Sequence, residues 1–379
     1  MGRTSGAIRH GGRAIILAVV AAASIVRADV TTERTSSVLV FPKVISNAPT
    51  IDTIIQISNT SNSMVFARCL YVNGAPRDPN LMPSSDNPPL CQEVDFDIFL
   101  TKQQPTHWVV STGRRIYSFA PDDQPCGAYS GVYFRDCNGA GFDPGTIPPV
   151  PDGFTGELKC VEVDSSGAPL NGNHLKGEAT IVSADGDASK YNAIGVMGLN
   201  TNSNVNNSDD VLCLGGGLTP SCPTGAEYNA CPDTLIVNHF ADGASDPVVD
   251  EFTTGGSGVR TEVTLVPCTE DFENQIPGRA VVQFLIINEF EELFSTSTTL
   301  TCWANWDLGS VNSVFTEAFL GSRFAQTRMH PATADQAGLL GVMEEFHSPA
   351  GGNESRDALN LHGEGDRPAG DVIALPGAF

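Results

Sequence analysis

The stretch Asp52–Val72, DTIIQISNTSNSMVFARCLYV, carries the pattern that decides the fold. Thr53, Ile55 and Ile57 alternate with Ile54, Gln56 and Ser58, the period-two signature of a half-buried strand. Asn59-Thr60-Ser61-Asn62-Ser63 reads as a turn, and Val65, Ala67, Cys69 and Tyr71 give the returning strand an inner face. The stretch is therefore expected to form a hairpin. A variant returns at Ala280–Trp303, AVVQFLIINEFEELFSTSTTLTCW.

Working outward, short strand-like pieces separated by turn formers recur along the chain. Ser37–Phe41 precedes the opening stretch, and Val94–Leu100, Trp108–Val110, Gly156–Asp164, Leu175–Ser183 and Tyr191–Gly198 follow it. Only 17% of residues are charged, while Gly and Pro number 38 and 25, which favours strands and loops over helices. Five pieces of the first half have counterparts in the same order in the second, among them Phe99-Leu100 with Thr106 against Phe319-Leu320 with Thr327. That order points to two copies of one module. Between them lies Asp185–Gly258, rich in Gly, Asn and Asp and carrying Cys213, Cys222 and Cys231.

The expected fold class is all-β: two tandem antiparallel immunoglobulin-like β-sandwich domains, disulfide-stabilised. The expected layout is a signal peptide at 1–28, a first sandwich at 29–184, an insertion and linker at 185–258 packed on the first domain, and a second sandwich at 259–379. The piece order, the Asn-Thr-Ser turn and the Leu100, Pro105-Thr106, Trp108 run resemble bacterial extracellular immunoglobulin-like modules. That resemblance implies fold more than activity, since such modules serve adhesion, display and spacing as well as accessory roles in enzymes. The cysteines do not follow the antibody-type Cys…Trp…Cys pattern.

Arg3, Arg9 and Arg13 precede the apolar run Ala14–Val26, and Val26-Arg27-Ala28 has small residues at the outer positions of a cleavage site. This is the pattern of a secretory leader cut after Ala28, with a periplasmic, cell-surface or extracellular destination and no transmembrane segment in the mature chain. The net charge is −23, and loss of the leader removes four arginines and no acid. So acidic a chain repels nucleic acid, leaving an extracellular protein or polysaccharide as the expected partner.

All ten cysteines follow the leader, an even count that suits disulfides in an oxidising compartment. Spacing suggests Cys126–Cys137, Cys69–Cys91 and Cys268–Cys302, with the full connectivity open. No nucleophile elbow, HExxH, phosphate loop or dinucleotide fingerprint occurs, so no catalytic residue is assigned and no cofactor is required. Asp185, Asp187, Asp209 and Asp210 place hard oxygen ligands in polar loops and are the candidates for calcium. The leading expectation is a structural, adhesive or binding protein whose contacts lie on hairpin tips and the 185–258 segment. The alternative is a carbohydrate-active hydrolase or carbohydrate-binding accessory, with Glu289, Glu292 or His239 beside an exposed Trp.

Overall fold

In the computed structural model the described residues are Gly2, 30–81, 86–115, 128–129, 133–134, 144–199, 209–247, 257–348 and 354–377. The expected leader, Gly2 apart, and the Cys126–Cys137 pairing lie outside them. Strands are numbered β1 to β24 in chain order. The first sheet runs β1 (Val30–Thr31), β12 (Ile194–Val196), β2 (Val38–Ser46), β9 (Phe154–Val163), β4 (Val65–Asn73) and β5 (Gln92–Leu100). The second runs β11 (Ala188–Asn192), β10 (Leu175–Ser183), β3 (Ile51–Asn59) and β6 (Pro105–Val109). A third joins β13 (Val211–Leu214), β24 (Asp371–Ala374) and β16 (Glu270–Asp271).

The fourth sheet is β18 (Leu293–Thr301), β17 (Arg279–Asn288), β20 (Phe324–Pro331), β14 (Pro232–Phe240) and β23 (His362–Asp366). The fifth is β19 (Ala304–Asp307), β15 (Gly258–Pro267), β21 (Leu339–Ser348) and β22 (Ser355–Asn360). Two-residue strands β7 (Ala128–Tyr129) and β8 (Tyr133–Phe134) pair with each other.

The all-β expectation holds, but two tandem immunoglobulin-like sandwiches are not what forms. Five small sheets make a five-bladed, propeller-like array instead. The physical reason is that β2, β4 and β9 are apolar on both faces and bury both. One face of the first sheet packs Leu39, Phe41, Tyr71 and Leu158 against Ile55, Ile57, Trp108 and Ile181 of the second. The other face packs Val38, Val40, Leu70 and Val161 against Leu212, Leu214, Ile373 and Phe272 of the third sheet and its flanks, with Trp303 and Leu340. A separate core between the fourth and fifth sheets gathers Val237, Val282, Phe284, Ile286, Met329, Val263 and Leu265.

Chain segments also cross the expected boundaries. From the 185–258 segment, β12 joins the first sheet, β13 pairs with β24, and β14 lies inside the fourth sheet. Arg68 on β4 donates to the carbonyl of Pro376 at 2.8 Å.

The opening stretch is not a hairpin. β3 pairs with β10 and β6 in the second sheet, whereas β4 lies between β9 and β5 in the first. Its counterpart is one: β17 and β18 pair from Arg279↔Thr301 to Ile287↔Leu293. Disulfides follow sheet order rather than nearness in sequence. Cys69 faces Cys160 across β4 and β9 and is bonded to it, not to Cys91. Cys91 is joined to Cys302, Cys268 to Cys231, and Cys213 to Cys222.

Candidate functional site

Two lysines lie fully buried where sheets meet. Lys43 sits at the bulge of β2 between Phe41 and Val44, where the extra residue breaks the register. Its Nζ donates to Glu262 Oε2 at 2.8 Å and Asn305 Oδ1 at 3.2 Å, and lies 2.5 Å from Glu344 Oε2. Burial opposes ionisation of Glu262, yet Lys43, Asn305 and Arg260 together hold its carboxyl at about 2. Lys159 on β9 binds Glu157 at 2.8 Å and Glu270 of β16, over the ring of Phe272. Burial pushes Glu157 well up, outweighing the pull of Lys159. Burial also lifts half-buried Glu93 on β5 to about 7, helped by Glu270, Asp271 and Asp95 and opposed by Lys159. Strong charges here tie the first sheet to the fifth and third, and a buried charge costs several kcal/mol unless paired in this way.

A cleft of about 260 Å³ is lined by Gly215, Thr219, Thr269, Gln336, Arg367 and Gly370 among others. Its charged groups are committed to the fold. Asp371 Oδ1 accepts from Gly338 N and Thr269 Oγ1, both at 2.7 Å, and Arg367 Nη2 donates to the carbonyls of Ala334 and Gln336. Cys231, Cys268 and Asp371 cluster beside it at metal-ligand range, but the two sulfurs are bonded to each other and offer no thiolate.

The expected calcium carboxylates do not converge among the described residues. Asp185 accepts from Ser183 Oγ and Asp187 N within the β10–β11 turn. Asp187 Oδ2 accepts Arg356 N at 2.9 Å and ties that turn to β22, and Asp209 accepts Val211 N at 3.2 Å. The residues of the hydrolase alternative are scattered. His239 is fully buried, with Nε2 2.8 Å from Thr327 Oγ1, and burial lowers it to about 4 despite the Phe240 carbonyl. Glu289 accepts from Ser322 and Glu292 from Asn288, both at the β17–β18 tip. Trp108 donates to Tyr71 Oη, Trp303 donates to the Pro42 carbonyl, and Trp306 packs edge-on against Phe284.

The β17–β18 hairpin is different. Its tip is held rigidly: Asn288 Oδ1 accepts from Phe290 N and Glu292 N at 2.9 Å, and Asn288 Nδ2 donates to the Leu320 carbonyl at 2.8 Å. Around that tip Phe290, Leu293 and Phe319 stand 68%, 62% and 52% exposed, with Phe294 packed edge-on against Phe319. β18 itself forms one edge of the fourth sheet. Hairpin tips were expected to carry contacts, and Glu289 and Glu292 are at this one. The apolar trio was missed, although Phe290 between glutamates in NEFEEL is an apolar side chain in a turn and was the available signal. No protein-family model matches the chain, and no curated protein is detectably similar to it.

Proposed function

We propose that this is an exported structural, adhesive or binding protein that acts by contact rather than catalysis. Its contact surface is the β17–β18 hairpin, and the partner is an extracellular protein. The observation that carries this reading is the group Phe290, Leu293 and Phe319, exposed together on a tip that Asn288 holds in one shape. Covering such side chains recovers about 1.5–3 kcal/mol each when burial is complete, and a rigid tip loses little entropy on docking. The groups best suited to acid–base work support the non-catalytic reading, because Lys43, Lys159 and His239 are turned inward and paired. Four disulfides among the described residues fit an oxidising destination, and no described helix is long and apolar enough to cross a membrane. The reading requires no cofactor, calcium included.

The test uses latex beads coated with the full chain and scored for attachment to gelatin-coated and cellulose-coated surfaces. Attachment to gelatin is expected to drop about tenfold, the worth of about 1.4 kcal/mol, when Phe290, Leu293 and Phe319 are all changed to Ser. Equal attachment by the variant, preference for cellulose, or hydrolysis of the polysaccharide would overturn it.

A further inference from the structure

Among the described residues two edge strands are nine residues long, β5 and β18. Exposed edges offer unpaired backbone groups to any passing strand, and proteins ordinarily guard them with charge, proline or a bulge. β5 follows that rule with Glu93, Asp95 and Asp97. β18, LFSTSTTLT, has no charge, no proline and a ladder to β17 without a register break. Its five consecutive hydroxyls, Ser295 to Thr299, have no hydrogen-bond partner among the described residues, and its other edge pairs with none of the described strands.

We infer that this edge pairs antiparallel with β18 of a second copy of this chain, about a two-fold axis at Ser297. This goes beyond the contact reading above, since it uses the β18 edge rather than the apolar tip. In that register the strand from Phe294 to Leu300 is self-complementary. Leu293, Ser295, Ser297 and Thr299 face outward and Phe294, Thr296, Thr298 and Leu300 inward, so paired residues must share a face. With Ser297 opposite itself, Ser295 meets Thr299, Thr296 meets Thr298, and Phe294 meets Leu300. From 294 to 300 hydroxyl thus faces hydroxyl and apolar faces apolar, the pairs that stabilise a sheet, and Leu293 against Thr301 is the exception. The same surface on both copies is used, as a closed two-fold dimer requires.

Charge agrees with the register. Leu293 falls opposite Thr301 of the second copy, and Thr301 is paired within its own chain to Arg279. The acidic tip Glu291-Glu292 of each copy therefore lies toward the exposed Arg279 of the other. In a molecule of net charge −23, an uncharged edge with a cation at one end and acids at the other spares two copies the repulsion of facing acidic surfaces.

The test is cysteine cross-linking of the full chain. None of the described cysteines is free, and the unsubstituted chain, whose Cys126 and Cys137 lie outside the described residues, is the blank against which a new cysteine is read. Opposed residues in an antiparallel pair have Cα atoms about 4.5–5.5 Å apart, within disulfide range. Ser297→Cys alone is expected to give covalent dimer under mild oxidation at least about tenfold faster than Ser295→Cys or Thr299→Cys alone, with a mixture of those two matching it. Sedimentation equilibrium of the native chain should show a reversible dimer that Ser297→Lys converts to monomer, with an unchanged melting temperature in protein dilute enough for both to be monomeric. A native chain that is monomeric throughout, a dimer indifferent to Ser297→Lys, or equal cross-linking at 295 and 297 would overturn the pairing. If the pairing fails while the Phe290, Leu293 and Phe319 variant still loses bead attachment, the contact reading survives without it; loss of neither sinks both.

Discussion

Asp52–Val72 and Ala280–Trp303 begin alike and end differently. Each first strand closes on a buried asparagine that does the same work. Asn59 Oδ1 accepts from Ser61 N and its Nδ2 donates to the carbonyl of Leu100, while Asn288 Oδ1 accepts from Phe290 N and its Nδ2 donates to that of Leu320. The pairing beyond them also matches, with Ile57 opposite Thr106 and Ile286 opposite Thr327. After the turn the chains part. VFARCLYVN buries both faces and crosses to the first sheet, where it lies between β9 and β5; LFSTSTTLT has hydroxyls on both faces and stays beside β17 as an edge. A strand apolar on two sides must be covered on two sides, and a strand of serine and threonine need not be.

That comparison can be broken at several points. The largest effect is expected in the sheet that receives β4. Lys159→Leu leaves Glu157 and Glu270 buried without their cation, and denaturant unfolding should show a loss of about 3–5 kcal/mol. Next are the paired asparagines. Asn59→Ala and Asn288→Ala each strand buried backbone groups and should each cost about 1–3 kcal/mol, by similar amounts. Unequal losses would mean that the two turns are not the same device.

A smaller effect is expected from pH. Glu93 has its carboxyl raised to about 7, so between its ordinary range and that value the folded chain holds a proton that the unfolded chain has released. Its stabilising contribution is complete at low pH and is lost as pH rises through about 7, and Glu93→Gln should flatten that limb of the melting curve. His239 has the opposite sign: held neutral and lowered to about 4, it costs stability as pH falls from its ordinary range toward that value. The smallest effect belongs to the edge. Thr296→Val should change monomer stability by no more than about 0.5 kcal/mol, because the Thr296 hydroxyl, unlike its backbone in the β17 ladder, has no hydrogen-bond partner among the described residues.

Much of this was legible in residues and some was not. Period-two alternation identified β3 and β5 as strands because one face of each meets water or polar neighbours, and likeness to the opening stretch pointed to β17. Which strands pair was not legible, since β4 and β9 lie 91 residues apart at Cys69 and Cys160, and nothing local specifies that partner. The same distance defeated the disulfide guesses; Cys91 and Cys302 are 211 residues apart. The two-sided burial of VFARCLYVN was present in the sequence, but reading it as one face of a hairpin concealed it. At the candidate site Glu289 and Glu292 were found through their charge, whereas Phe290, Leu293 and Phe319 mattered only once the turn was seen to hold them outward.

Hydrogen exchange of β4 and β18, followed side by side as protein concentration is raised, tests the central claim most directly. The β4 amides lie between two paired strands and should be protected at every concentration. Those β18 amides that point away from β17 should exchange freely in dilute protein and become protected as copies pair. If β18 exchanges at the same rate at all concentrations, the edge is not a meeting place for two copies, and the contrast between the two strands is one of burial alone.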